Sequence, residues 1–297
     1  STAEPEELFR TADRLRATLH NKQIDLCSIV NARSGKCSEN CKFCAQSAHY
    51  NVEVATYDLI DVAKAVELAQ ENEVYGVERF SLVTAGRTVS LESLEEFKKI
   101  YDRLQRDTSM RLCASMGFLT PEKATKLREM GVERYHCNLE TSRSFFPTVC
   151  TTHNWDEKVA TIKIARDAGM DVCSGGIIGL GESFEQRLEL AFELRELDIL
   201  SIPLNILTPI KDTPFEKLKP LTVSEVLTCI AMFRFINPHA IIRLAGGRNL
   251  LGEKQERCFS SGANGSIVGN YLTTAGNGLE EDFKMFSRLG FAVEKKS

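Results

Sequence analysis

Four cysteines crowd the stretch IDLCSIVNARSGKCSENCKFCAQSAHY, residues 24–50, and three of them, Cys37, Cys41 and Cys44, fall in the spacing C-x3-C-x2-C. Three thiolates within eight residues do not saturate a tetrahedral zinc, and they are not the paired C-x2-C of a zinc ribbon. Iron–sulfur clusters are held by thiolates and a four-iron cube takes four ligands, so three cysteines leave one iron able to bind something else. A zinc site completed by His49 is the plainer alternative. Cys27, ten residues upstream of Cys37, has no partner in this spacing.

A loop of this kind needs a scaffold. The 297-residue chain is the length of one α/β barrel, and 43% hydrophobic with 26% charged residues describes a globular protein with ample core. A net charge of −4 gives no electrostatic reason to expect nucleic acid or an anionic membrane. The start, STAEPEELFRTADRLRATLH, is polar and helical with no apolar core of a signal peptide, and no run of 18 apolar residues suggests a membrane span. A cytoplasmic protein is the expectation. Disulfides are rare in that compartment, so ten cysteines point to metal or redox chemistry, although Cys150, Cys229 and Cys258 read as small buried hydrophobes.

Short apolar segments at 26–31, 79–84, 110–116, 134–140, 171–178, 201–207, 240–245 and 265–268 alternate with helical patterns, for example at 59–72, 91–106, 121–130 and 155–168. Thr120 before Pro121 is a helix start, and Gly131 and Gly169 stand where helices end. Eight such units predict a TIM-type parallel (β/α)8 barrel formed by residues 1–297 as a single domain, with 1–23 as an N-terminal helical extension. Chemistry in such barrels sits at the C-terminal ends of the strands, where the loop holding the cysteine triplet would lie.

The triplet in a loop after a first barrel strand resembles the radical S-adenosylmethionine (SAM) superfamily. That resemblance implies a [4Fe–4S] cluster on Cys37, Cys41 and Cys44 whose open iron chelates SAM, with Phe43 beside the adenine. The stretch GGIIGLGE, with Gly175, Ile177, Gly179 and Glu182, resembles the superfamily's adenine-binding strand. Ile177 would offer the purine an apolar face, and the glycines would let the backbone approach a ligand closely.

The stretches CSENCKFCAQSAHY, NLETS, ARDAGMDVCSGGIIGLGE, IPLNIL, IIRLAGGR and SSGANGSIVGNYLTT, in this order, resemble the biotin synthase family over nearly the whole chain. The resemblance implies sulfur insertion between C6 and C9 of dethiobiotin by deoxyadenosyl radicals, with sulfur donated by an auxiliary iron–sulfur cluster. It also implies an electron donor such as flavodoxin or ferredoxin, and a homodimer. A related radical SAM enzyme or maturase acting on another small substrate is the alternative. Asn138 and Glu140, on the fourth strand, would hold the SAM ribose, Asn138 also facing the ureido ring; the family usually has Asp at the position of Glu140. Asn205 would bind the ureido group, an amide being donor and acceptor at once. Thr273 and Thr274 would hold the substrate carboxylate, and Lys158 stands where an arginine often meets the SAM carboxylate.

The family's auxiliary cluster uses a cysteine from each of strands two, three and five and an arginine from strand seven. Here Cys113, Cys173 and Arg243 match, but strand two carries Ser81, and Cys27 appears one strand away on strand one. Cys27, Cys113, Cys173 and Arg243 are therefore expected around a [2Fe–2S] cluster or a four-iron cluster with an extra sulfide. Cys137 ranks lower because strand alternation turns it toward the helices. Arg248 is expected beside Arg243, and a purely structural Arg243 would require a carboxylate partner. His49, His136 and His153 read as surface or satisfied histidines.

Overall fold

A computed structural model describes residues 3–269 and 278–293. Nine parallel strands form one sheet in the order β5-β4-β3-β2-β1-β9-β8-β7-β6. They are β1 (Asp25–Arg33), β2 (Arg79–Thr84), β3 (Arg111–Ser115), β4 (Val132–His136), β5 (Asp171–Cys173), β6 (Gly176–Ile178), β7 (Ser201–Ile206), β8 (Ile241–Leu244) and β9 (Gly265–Val268). The expected fifth strand is one path broken into β5 and β6. β5 pairs with β4 and β6 with β7. Across the break Ser174 N donates to Ser201 O, and Glu140 bridges Gly176, so this strand joins the two edges and curls the sheet into the TIM-type barrel.

Helices form the outer layer because each presents an apolar stripe with a period of 3.6 residues. α3 (Leu91–Asp107) buries Leu94, Phe97, Ile100, Tyr101 and Leu104 on one side, and Ser90 caps its start by accepting from Ser93 N. Thr120 likewise accepts from Lys123 N at the head of α4 (Pro121–Glu129). Gly131 and Gly169 adopt φ of 82° and 78°, left-handed ends of α4 and of α6 (Trp155–Asp167) that other residues resist. α1 (Ala3–His20) packs on α8 (Val223–Ile236), burying Phe9 and Ala12 in the main core.

The fourth strand is shorter than the expected 134–140. It ends at His136, and Glu140 sits at φ 69°, a conformation that cannot continue a strand. Asn138 and Glu140 therefore project from the segment after β4 rather than from the strand itself.

Candidate functional site

The cysteine triplet occupies a loop folded back on itself at the C-terminal end of β1. Cys37 N donates to Gln46 O at 2.9 Å, Ala48 N to Cys37 O at 2.7 Å and Cys44 N to Cys41 O at 3.0 Å. Gln46 Oε1 collects Asn31, Ser34 and Gly35, which ties the loop to the strand end. Cys44 is pushed up to about 11 by burial.

Cys150, expected as a plain hydrophobe, is instead part of this loop's polar surroundings. Its Sγ lies 3.3 Å from Asn40 Oδ1 and 3.4 Å from His153 Nδ1, and it shares a hydrogen bond with Cys41. That shared proton raises Cys41 and lowers Cys150. Ligand atoms of Cys41, Cys150 and His153 lie within 4.8 Å of one another, the one such set among the described residues. Glu39 accepts from His153 Nδ1 at 2.5 Å and pairs with Arg87 at 3.2 Å, so His153 is buried and bonded. Nothing in the sequence near Cys41 announces Cys150, more than a hundred residues on. His49 is exposed, with Nε2 2.9 Å from Ser38 O.

Phe43 and Ile177, drawn from separate motifs, meet in one small apolar cluster with Val149, Leu180, Leu207 and Phe215. Such a patch beside three thiols can face a planar, apolar group such as a purine. The glycines near Ile177 do something other than admit a ligand. A Cβ on Gly175 would lie 1.9 Å from Pro203 O, and one on Gly176 would lie 2.5 Å from Glu140 O. Those two glycines let neighbouring backbones close the barrel. Gly179, at φ 95°, turns its N–H onto Glu182 Oε1 at 2.7 Å, and Glu182 is anchored by Arg187 at 2.6 Å.

The two asparagines flank the same pair of glycines. Gly175 N donates to Asn138 Oδ1 at 3.2 Å, and Asn205 Nδ2 donates to Gly176 O at 3.2 Å. Asn205 Oδ1 also accepts from Gly246 N at 2.9 Å. Glu140 and Lys158 form a pair at 3.8 Å. Burial raises the Glu140 carboxyl, and Glu140 in turn holds Lys158 charged against its own burial. Thr273 and Thr274 lie outside the described residues.

Deeper in the barrel the inward side chains of seven strands form a second constellation. Cys27 and Cys113 share a hydrogen bond, which raises Cys27 and lowers Cys113. Cys173 accepts from Ser201 Oγ at 3.2 Å. Burial pushes Cys173 up, but His136, Arg243 and Arg134 overcome it and bring it down to about 6. Ser81, fully buried and in register with Cys113, has an Oγ without a hydrogen-bond partner. Cys137 faces the opposite way, its Sγ near Lys158 O on α6.

Arg243 has its carboxylate: Nη2 lies 2.6 Å from Asp25 Oδ1, while its charge also reaches Cys27 and Cys173. Arg248, expected at its side, is bonded instead to Asp282 of α10 (Leu279–Arg288), with Nη1 at 2.8 Å, and caps a different part of the core. His136 is neither a surface nor a satisfied histidine. Its ring meets the thiols of Cys173 and Cys27, which raise it to about 9 against the opposing effect of burial, and its buried Nε2 has no hydrogen-bond partner. Alternation back from Asn138 and Glu140 would have put His136 and Arg134 inside by the same parity that turns Cys137 out.

Buried atoms without hydrogen-bond partners in this layer are Nε and Nη1 of Arg79 and Arg134, Nε of Arg243, Nε2 of His136 and Oγ of Ser81. Buried donors are normally paired, since each left unmade costs about 1–3 kcal/mol. Three thiols ringed by that many unused donors suit an anionic sulfide cluster, whose sulfurs accept hydrogen bonds.

The Radical SAM superfamily profile matches residues 32–194, and that of the Biotin and Thiamin Synthesis associated domain matches residues 203–292. Biotin synthase of Desulfotalea psychrophila is 61% identical over 291 residues, 98% of this chain and 87% of the relative. That of Acetivibrio thermocellus is 51% identical over 290 residues, covering 98% and 91%. Among solved structures, methylornithine synthase superposes with a TM-score of 0.84 at 16% identity, over 98% of this chain and 89% of that one. The FeFe-hydrogenase maturase HydG from Carboxydothermus hydrogenoformans gives 0.81 at 17% identity, over 97% and 71%. At that identity these two likenesses speak for the barrel alone.

Proposed function

The chain belongs to the biotin synthases of the radical SAM superfamily, and on that premise we propose how its residues divide the work of inserting sulfur between C6 and C9 of dethiobiotin. Cys37, Cys41 and Cys44 hold the [4Fe–4S] cluster that takes SAM. Cys27, Cys113 and Cys173, with Arg243 beside them, hold the auxiliary cluster, either [2Fe–2S] or four-iron with an extra sulfide. When bound, these groups supply one-electron chemistry and sulfur, which unactivated C–H bonds require because they offer no acid to a base.

The protein's own part is position and exclusion of water. Phe43 and Ile177, in one apolar cluster, would offer the adenine an apolar surface. Asn138 and Glu140 orient the ribose, and Lys158 meets the SAM carboxylate. Asn138 and Asn205 read the ureido ring from the two sides of the Gly175–Gly176 strand, and Thr273 and Thr274 hold the far carboxylate. The enzyme works as a cytoplasmic homodimer fed by an electron donor such as flavodoxin or ferredoxin.

The observation that supports this reading best is the double constellation: a three-thiol loop beside an apolar wall, above a second layer of three thiols and unused cationic donors. Anaerobic incubation with SAM, reductant and dethiobiotin tests it. Biotin together with 5′-deoxyadenosine is expected; deoxyadenosine without biotin would assign the barrel to a different substrate.

A further inference from the structure

We propose that His136 is the fourth protein ligand of the auxiliary cluster, completing the set of Cys27, Cys113 and Cys173, while Asp25 keeps Arg243 outside it. The inference rests on the reading that these cysteines hold a cluster.

His136 ends β4 and stands in register with Cys173 on β5. Arg134, two residues before it and on the same face of β4, stands in register with Cys113 on β3, and the thiols of Cys173 and Cys27 both act on the His136 ring. Donors from β1, β3, β4 and β5 thus face one interior volume. They are spread too widely for a single ion, because among the described residues they contribute no set of three with ligand atoms within 4.8 Å. A polynuclear cluster needs that spread, since each thiolate or imidazole binds a separate iron or a separate corner.

Arg243 is the residue expected from the family pattern, but its terminal nitrogens are engaged. Nη2 bonds Asp25 Oδ1 at 2.6 Å and Ser201 Oγ at 3.4 Å, and Nη1 bonds Asp25 O at 3.1 Å and Ser266 O at 3.4 Å. A guanidinium held by a carboxylate stays protonated, offering donors and no lone pair. Ser81 has a free Oγ, but a hydroxyl is a poor iron ligand at neutral pH. His136 Nε2 is a buried nitrogen without a partner, and imidazole is a common iron ligand once that nitrogen is deprotonated. The serine on β2 and the histidine on β4 then belong together: the ligand set has turned around the barrel, using β1, β3, β4 and β5.

A neutral nitrogen in place of a thiolate makes a cluster less negative and easier to reduce. Protein loaded anaerobically with isotopically enriched iron is read by Mössbauer spectroscopy. An iron site with an isomer shift above that of all-thiolate sites is expected, and His136→Cys should erase it while total iron is unchanged and the reduction potential falls. A spectrum lacking that site, or one unmoved by His136→Cys, overturns the assignment. Should the variant not fold, wild-type protein grown with heavy-nitrogen histidine decides. Strong hyperfine coupling from directly bound imidazole in the reduced auxiliary cluster supports the ligand, and its absence refutes it. Wild-type protein that carries only the iron of the SAM cluster would instead overturn both the ligand and the reading beneath it.

Discussion

Asp25→Asn removes one charge of a deeply placed ion pair, and a loss of stability of about 2–3 kcal/mol is expected. Asp25 Oδ1 lies 2.6 Å from Arg243 Nη2, with the arginine side chain 0% exposed and the aspartate 21%. Breaking a fully buried pair costs about 3–5 kcal/mol, because the surviving charge has no counterion. Two features soften that here. The asparagine oxygen still accepts a hydrogen bond, and Asp25 O, Ser266 O and Ser201 Oγ keep their contacts with the guanidinium. At about 2.1 cal/mol/K of unfolding entropy per residue, the thermal midpoint drops by roughly 3–5 °C. Burial pushes the Asp25 carboxyl up, but the charge and hydrogen bond of Arg243 hold it below its ordinary 3.8. A carboxyl depressed by folding stabilises fully above its unfolded value and loses that contribution as pH falls through the folded one. The gap between native protein and variant should therefore be full at neutral pH and close in acid below 3.8. Scanning calorimetry on cluster-loaded protein of matched iron content, at a series of pH values, makes the measurement. A neutral-pH shift within error, or a gap that does not narrow in acid, would refute the reasoning. So would an undiminished effect of Asp25→Asn in an Arg243→Met background, where no charge remains to be stranded.

Gly175→Ala sets a methyl 1.9 Å from the Pro203 carbonyl, which belongs to a barrel strand and cannot step aside; a loss of about 3 kcal/mol or failure to accumulate soluble protein is expected, read by denaturant unfolding. Cys27→Ala should lose the auxiliary cluster's iron and sulfide while SAM cleavage persists, and unchanged counts would take Cys27 off the ligand list. Adding Ser81→Cys to Cys27→Ala should restore part of that content, since Ser81 stands in register with Cys113. Lys158→Ala should raise the KM for SAM roughly tenfold or more with a smaller change in kcat, the worth of one charge-assisted hydrogen bond. Steady-state kinetics with unaltered KM would remove Lys158 from SAM binding.

Much of the scaffold was legible because it rests on local chemistry. Period-2 and period-3.6 patterns, the cap at Thr120 and the left-handed glycines Gly131 and Gly169 depend on neighbours within a few residues, and the strands and helices they predict are found with ends shifted by a few positions. The C-x3-C-x2-C loop was equally legible, since its three cysteines lie within eight residues of one another. The fourth strand was overextended because nothing in NLETS marks the left-handed Glu140 that ends it.

What lay beyond the sequence were pairings whose partners are far apart along the chain. Asp25 and Arg243 are 218 residues apart and meet because β1 and β8 both flank β9. Cys41 finds Cys150, His136 finds Cys27 and Cys173, and Gly175 finds Pro203 only once the barrel closes. The chain alone determined which kinds of groups are present and which face of each strand they occupy, because alternation is a property of the backbone. Strand order and register decided which of them share a volume, because only the closed sheet brings the interior faces of distant strands within bonding distance.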